Sequence, residues 1–170
     1  MEETINIITL GQSSVGKTSI INRIVDNDNF EDNYEPTIGF DYFTTTKKFD
    51  NKSFKSIKYI YWDTAGTENY NSITKRYIQD KDIILLIFCD LNSLEALKER
   101  WYELVKELID VKKSIFLVIA NKSDTFGDNY DQIKKKGKEF ALEIGSYFLI
   151  CSAKSKENMD NVEEILNMKQ

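Results

Sequence analysis

Residues Gly11-Gln12-Ser13-Ser14-Val15-Gly16-Lys17-Thr18 set two glycines, a lysine and a hydroxyl at the spacing G-x-x-x-x-G-K-[ST], directly after the apolar run Ile5–Leu10. Between a strand and a helix, that spacing makes a loop that wraps a phosphate chain. The glycines let the backbone curl, so that N–H groups from Ser13 through Ser14, Val15, Gly16, Lys17, Thr18 and Ser19 face phosphate oxygens. Lys17 reaches the outer phosphates, and the Thr18 hydroxyl takes one Mg²⁺ position. The helix that begins near Lys17 adds the positive end of its dipole.

Three further polar clusters each follow a strand-like run: Asp63-Thr64-Ala65-Gly66 after Trp62, Asn121-Lys122-Ser123-Asp124 after Ile115–Ala120, and Ser152-Ala153-Lys154 after Tyr147–Cys151. Asp63 is placed to hold Mg²⁺ through water. Gly66 lets its N–H approach a terminal phosphate closely. The two oxygens of Asp124 match the adjacent N–H donors on a guanine edge. Adenine lacks that pair, and against it a buried carboxylate would go unpaired. Asn121 braces the loop and touches the base, the stem of Lys122 covers the ring face, and the Ala153 N–H donates to the guanine carbonyl oxygen. Alone, Asp124 reads as an Asx-turn and Ser152 as a helix cap. Together at strand ends they read as one site.

The elements between these clusters alternate. A helix over Thr18–Val25 is followed by a polar loop that ends at Pro36. Phe40–Phe49 and Ser56–Trp62 are two β-rich runs around Asp50-Asn51-Lys52, a hairpin. Ile83–Cys89 and Ile115–Ala120 are continuous apolar runs, strands buried on both faces. Leu94–Ile109 and Tyr130–Ile144 carry helical periodicity. Tyr147–Cys151 is a short strand and Asn158–Met168 a last helix. The expectation is an α/β domain over 1–170: a mostly parallel six-stranded sheet, one strand antiparallel, helices on both faces. In such sheets ligands bind beyond the carboxyl ends of the strands, which gathers the four clusters on one rim. The basic run Lys134–Lys138 reads as a solvated helix face.

Composition bounds the chemistry. The 170 residues carry a net charge of −5, which argues against broad nucleic-acid binding. The absence of histidine excludes His-based acid–base catalysis and most zinc enzymes. Cys89 and Cys151 sit in apolar runs and read as buried, reduced thiols with no metal-ligand spacing. No apolar stretch reaches membrane-spanning length, and the N-terminus does not look like a signal peptide, so a cytoplasmic domain is expected.

On Gly11–Thr18, Thr37, Trp62–Gly66, Asn121–Asp124 and Ser152–Lys154, the chain resembles a small GTPase of the Ras superfamily over essentially its whole length, and it is most similar to the Rab branch. Pro36–Asp41 resembles the Rab form of the first switch. The resemblance implies a three-layer P-loop NTPase fold, GTP/GDP and Mg²⁺ as ligands, and a monomeric switch read by effectors, an exchange factor and a GTPase-activating protein. It implies that Thr37 binds Mg²⁺ and the γ-phosphate in the GTP state, that Phe30 lies against guanine, and that Tyr34 closes over the phosphates. Residues of about 30–43 and 64–77 then change with the nucleotide. Tyr42, Trp62 and Tyr77 fall where Rab proteins carry an aromatic effector-binding triad, which usually has phenylalanine first; ordinary core packing is the alternative.

Two positions depart from the family. Relatives carry Gln after Asp-x-x-Gly to orient the attacking water, in the handling of phosphoryl transfer typical of such proteins. Here Thr67 stands at that catalytic position beside Lys17 and Gly66, and it has no amide to hold water and phosphate together. Slow intrinsic hydrolysis is expected, with a nucleotide-locked binding module as the alternative. An unrelated P-loop ATPase or kinase would leave Asp124 and Ser152–Lys154 without a purpose. The chain also stops at Asn167-Met168-Lys169-Gln170 with no cysteine nearby, where Rab proteins continue into a prenylated tail. Either this is a truncated G domain, whose membrane association needs a tail absent from this chain, or the natural protein lacks that anchor.

Overall fold

Six strands form one sheet in the order β2-β3-β1-β4-β5-β6. They are β1 (Glu3–Leu10), β2 (Phe40–Phe49), β3 (Lys55–Thr64), β4 (Ile83–Phe88), β5 (Ile115–Ala120) and β6 (Tyr147–Ile150). The computed structural model describes residues 3–26, 30, 37–49, 55–66 and 76–167. Tyr34, Thr67 and the Asp50–Lys52 turn lie outside them. All neighbouring strands are parallel except β2, which pairs antiparallel with β3 from Phe40↔Thr64 to Phe49↔Lys55. Strand β3 runs past Trp62 because Asp63 and Thr64 still pair with Asp41 and Phe40. The ladder is continued by Ala65 N–H donating to the Gly39 carbonyl at 3.0 Å.

Each face of the sheet is sealed by helices, giving three layers. On one face α1 (Lys17–Val25) and the last helix (Met159–Asn167) bury Ile20, Ile21, Ile24, Met159, Val162 and Leu166 against Ile5 and Ile7 of β1. On the other, Ile8 and Leu10 of the same strand meet Leu94, Leu97, Trp101 and Val105, with Ile133 and Phe140 from the helix Tyr130–Glu143. The period-2 alternation of β1 thus feeds both layers. Strand β4, Ile-Ile-Leu-Leu-Ile-Phe, is buried throughout, as a central parallel strand requires.

The helix expected over Leu94–Ile109 begins earlier and is not regular. The side chain of Asp90 caps it, accepting from Ser93 N–H at 2.7 Å, while Ser93 Oγ accepts from Asp90 N–H at 3.0 Å. It then runs as Leu91–Ala96, a π-helical Leu97–Tyr102, and Glu103–Leu108. The wide turn seats Trp101 fully in the core, where its indole N–H finds no partner among the described residues. Cys89 also departs from expectation. Because β4 ends at Phe88, Cys89 lies beyond the strand and is only partly buried, whereas Cys151 is buried. Lys134, Lys135, Lys136 and Lys138 are exposed, as expected of a solvated face.

Candidate functional site

The carboxyl ends of the parallel strands share one rim, so the four clusters meet there. The phosphate-type loop leaves β1 at Gly11 (φ 152°) and enters α1 through Gly16 (φ 93°), with Ser14 between them also at positive φ. Both glycines are sterically required. A Cβ on Gly16 would stand 2.3 Å from Asn121 Nδ2, and one on Gly11 would stand 2.2 Å from the Ile87 carbonyl oxygen. Gly66 approaches the same loop from β3, where a Cβ would fall 2.2 Å from the Ser13 nitrogen. Ser19 lies in the first turn of α1.

Lys17 is buried under this loop and folds back onto it, with Nζ donating to the carbonyls of Gly11 and Gln12 at 3.0 Å each. Burial pushes its ammonium down to about 8, against the pull of Asp63. The predicted metal ligands converge on one carboxylate. Asp63 Oδ2 accepts from the Thr18 hydroxyl at 2.5 Å and the Thr37 hydroxyl at 3.2 Å, and those two hydroxyls are themselves 3.2 Å apart. Thr9, not foreseen from the sequence because it sits inside an apolar run, donates to Asp63 Oδ1 at 3.1 Å. Asp63 has no exposed surface, and burial raises its pKa against the hydroxyls and Lys17. Two hydroxyls and a desolvated carboxylate are a hard, all-oxygen donor set, and they fit Mg²⁺.

At the base end, Asn121 ties two loops together. Its Nδ2 donates to the Val15 carbonyl at 2.9 Å, and its Oδ1 accepts from Ala153 N–H at 3.1 Å. The Ala153 N–H, assigned above to a guanine oxygen, is therefore engaged within the protein. Asp124 is exposed; its Oδ1 accepts from the buried Ser152 hydroxyl at 2.5 Å, and Ser152 Oγ in turn accepts from Ser155 N–H at 3.0 Å. Lys122 holds a positive φ of 66° just after Asn121, and Lys154 is exposed. Phe30 is partly buried and lies beneath the guanidinium of Arg23 at 5.2 Å. Arg23 escaped the sequence reading, since a cation in an amphipathic helix reads as a surface residue.

Beside the rim, Tyr42, Trp62 and Tyr77 are brought together, with ring centroids 6.2 Å apart for Tyr42–Trp62 and 5.1 Å for Trp62–Tyr77. Phe40, on the same strand face as Tyr42, joins them at 4.1 Å from Tyr77. This is not closed core. Tyr42 is 64% exposed and neighbouring Ile38 is 82% exposed.

Comparison with known proteins gives the same picture. The Ras family matches residues 6–169. The chain is 36% identical to the Ras-related protein SEC4 of Candida albicans over 158 residues, which cover 92% of this chain and 72% of that one. It is 31% identical to the Ras-related protein RabC of Dictyostelium discoideum over 170 residues, covering 98% of this chain and 84% of that protein.

Proposed function

The chain belongs to the Ras family as a small GTPase most similar to the Rab proteins, and from that premise we propose that it is a guanine-nucleotide switch that holds GTP or GDP with Mg²⁺ and regulates membrane traffic. The observation that carries this reading is Asn121. One buried side chain bonds the phosphate loop at Val15 and the base-side loop at Ala153, so both ends of a nucleotide would meet one rigid frame.

Each residue then has a role. Backbone N–H groups from Ser13 to Ser19 and the Lys17 ammonium bind the phosphates. The hydroxyls of Thr18 and Thr37, with Asp63, hold Mg²⁺, which when bound neutralises charge on the phosphate oxygens. Asp124 selects guanine, Ser152 orients Asp124, and Lys122, Lys154 and Phe30 enclose the base. Thr37 belongs to the first switch, and its contact with Thr18 and Asp63 is the arrangement expected while a γ-phosphate is held. Loss of that phosphate releases Thr37, and the Ile38–Tyr42–Trp62–Tyr77 surface changes with it. Effectors would read that surface.

Thr67 replaces the water-orienting glutamine and makes intrinsic hydrolysis slow. Single-turnover hydrolysis of bound GTP is expected to quicken in Thr67→Gln; equal rates would remove Thr67 as the cause. Absent turnover in the wild type together with tight GTP binding would favour the second reading, a nucleotide-locked effector-binding module. For the traffic role, protein loaded with a non-hydrolysable GTP analogue should retain membrane-traffic partners that the GDP-loaded form releases. Identical capture by both forms would contradict the switch.

A further inference from the structure

Arg23 carries a charge that neither the phosphate nor the metal contacts account for. It lies in the last turn of α1, is 6% exposed, and reaches across to the base-side loop. Its Nε donates to the Ala153 carbonyl at 2.7 Å and its Nη2 to the Lys154 carbonyl at 3.3 Å, while the guanidinium covers the Phe30 ring at 5.2 Å. From the nucleotide-binding reading above, we propose that Arg23 is a positioning residue that sets how long the base end holds a guanine nucleotide.

The geometry supports this step by step. A peptide unit is planar, so fixing an N–H or a C=O fixes the whole plane. The plane before Ala153 is held through its N–H by Asn121 Oδ1. The plane after it is held through its C=O by Arg23, and Lys154 is held in the same way. The backbone at Ala153 is therefore clamped from both sides. The flat guanidinium also lies over the face of the Phe30 ring, at the start of the first switch. Arg23 thus joins three parts: the helix rooted in the phosphate loop, the base-side backbone, and the ring that closes on the base. Lysine supplies the charge but neither the fork nor the stacking plane, so it replaces only part of the function.

The test is release of fluorescently labelled GDP from the full chain, chased with excess unlabelled GDP. Arg23→Gln should accelerate release by about tenfold, the loss expected for hydrogen bonds to a charged group. Arg23→Lys should fall between it and the wild type. The acceleration should be the same with Mg²⁺ or with EDTA, because the metal end is untouched. Adding Phe30→Ala to Arg23→Gln should raise the rate by less than the product of the two single effects. Release from Arg23→Gln within twofold of the wild type would overturn the proposal. So would an equal acceleration in Val105→Ala, a buried variant near the far end of the helix that leaves the rim at Asp90, at a matched loss of melting temperature. If Arg23→Gln does not fold, Arg23→Lys decides by the same criteria. A wild-type chain that fails to bind GDP would instead sink the nucleotide-binding reading beneath it.

Discussion

At the phosphate end of the rim, Lys17 and Asp63 are buried charges, each pushed by desolvation toward its neutral form. At the base end, Asn121, Ala153, Ser152 and Asp124 meet one another through hydrogen bonds of 2.5–3.1 Å. The first region is electrostatically unfinished. Among the described residues, Lys17 donates to backbone carbonyls of its own loop, and Asp63 accepts from hydroxyls. A polyanion and a divalent cation would each relieve one of them. The second region is already assembled, and what it offers is shape. On the proposed function, the same rim would contribute affinity mainly at one end and selectivity mainly at the other.

Single substitutions at each end separate these contributions. Lys17→Ala removes the charge matched to the outer phosphates and should weaken GDP binding by about 100-fold or more, as expected for a buried charge-assisted contact. Titration calorimetry on nucleotide-stripped protein measures it. Asp124→Ala should cost about 30-fold in GDP affinity while leaving ADP affinity unchanged, so its signature is the ratio rather than the absolute value. Equal losses for both nucleotides in Asp124→Ala would break the division between the two ends.

The pH dependence sharpens the same comparison. Lys17 titrates near 8 in the protein without ligand, and a bound phosphate raises that value because it favours the charged amine. Binding above that pH must therefore take up a proton, whereas below it the amine is already charged. GDP affinity is expected to be level from pH 6.5 to 7.5 and to fall by up to ~10-fold per unit beyond about pH 8. Lys17→Met should remove the slope. Stability of the nucleotide-free protein moves the opposite way. Its folded value lies below the unfolded value of 10.5, so the unfolded chain binds more protons in between. Stability then rises with pH from about 8 upward, which melting temperatures would register.

Much of this was legible in the sequence because parallel strands and rim loops leave opposite signatures in one dimension. Apolar runs such as Ile83–Phe88 and Ile115–Ala120 mark buried strands, and the polar clusters after Leu10, Trp62, Ala120 and Cys151 mark the rim. What stayed hidden depends on contacts between segments far apart in the chain. Thr9 sits in an apolar run, and only the approach of β3 gives its hydroxyl a carboxylate to meet. Arg23 shows its partners only when the 152–154 loop folds against α1, about 130 residues later in sequence. The π-helical turn at Leu97–Tyr102 keeps the four-residue spacing of Leu97, Trp101 and Val105, so periodicity cannot tell it from an α-helix. Cys89 looked buried because hydropathy does not mark where β4 leaves the sheet.

In the proposed function, one preassembled rim joins phosphate binding to guanine selection. The most direct test is equilibrium affinity for GDP against ADP, in Mg²⁺, on nucleotide-stripped wild-type protein. A preference for GDP of roughly 10³-fold or more is expected, the range open to a site whose hydrogen-bonding groups, once a base covers them, go unpaired against the wrong one. Comparable affinities for the two nucleotides would contradict it.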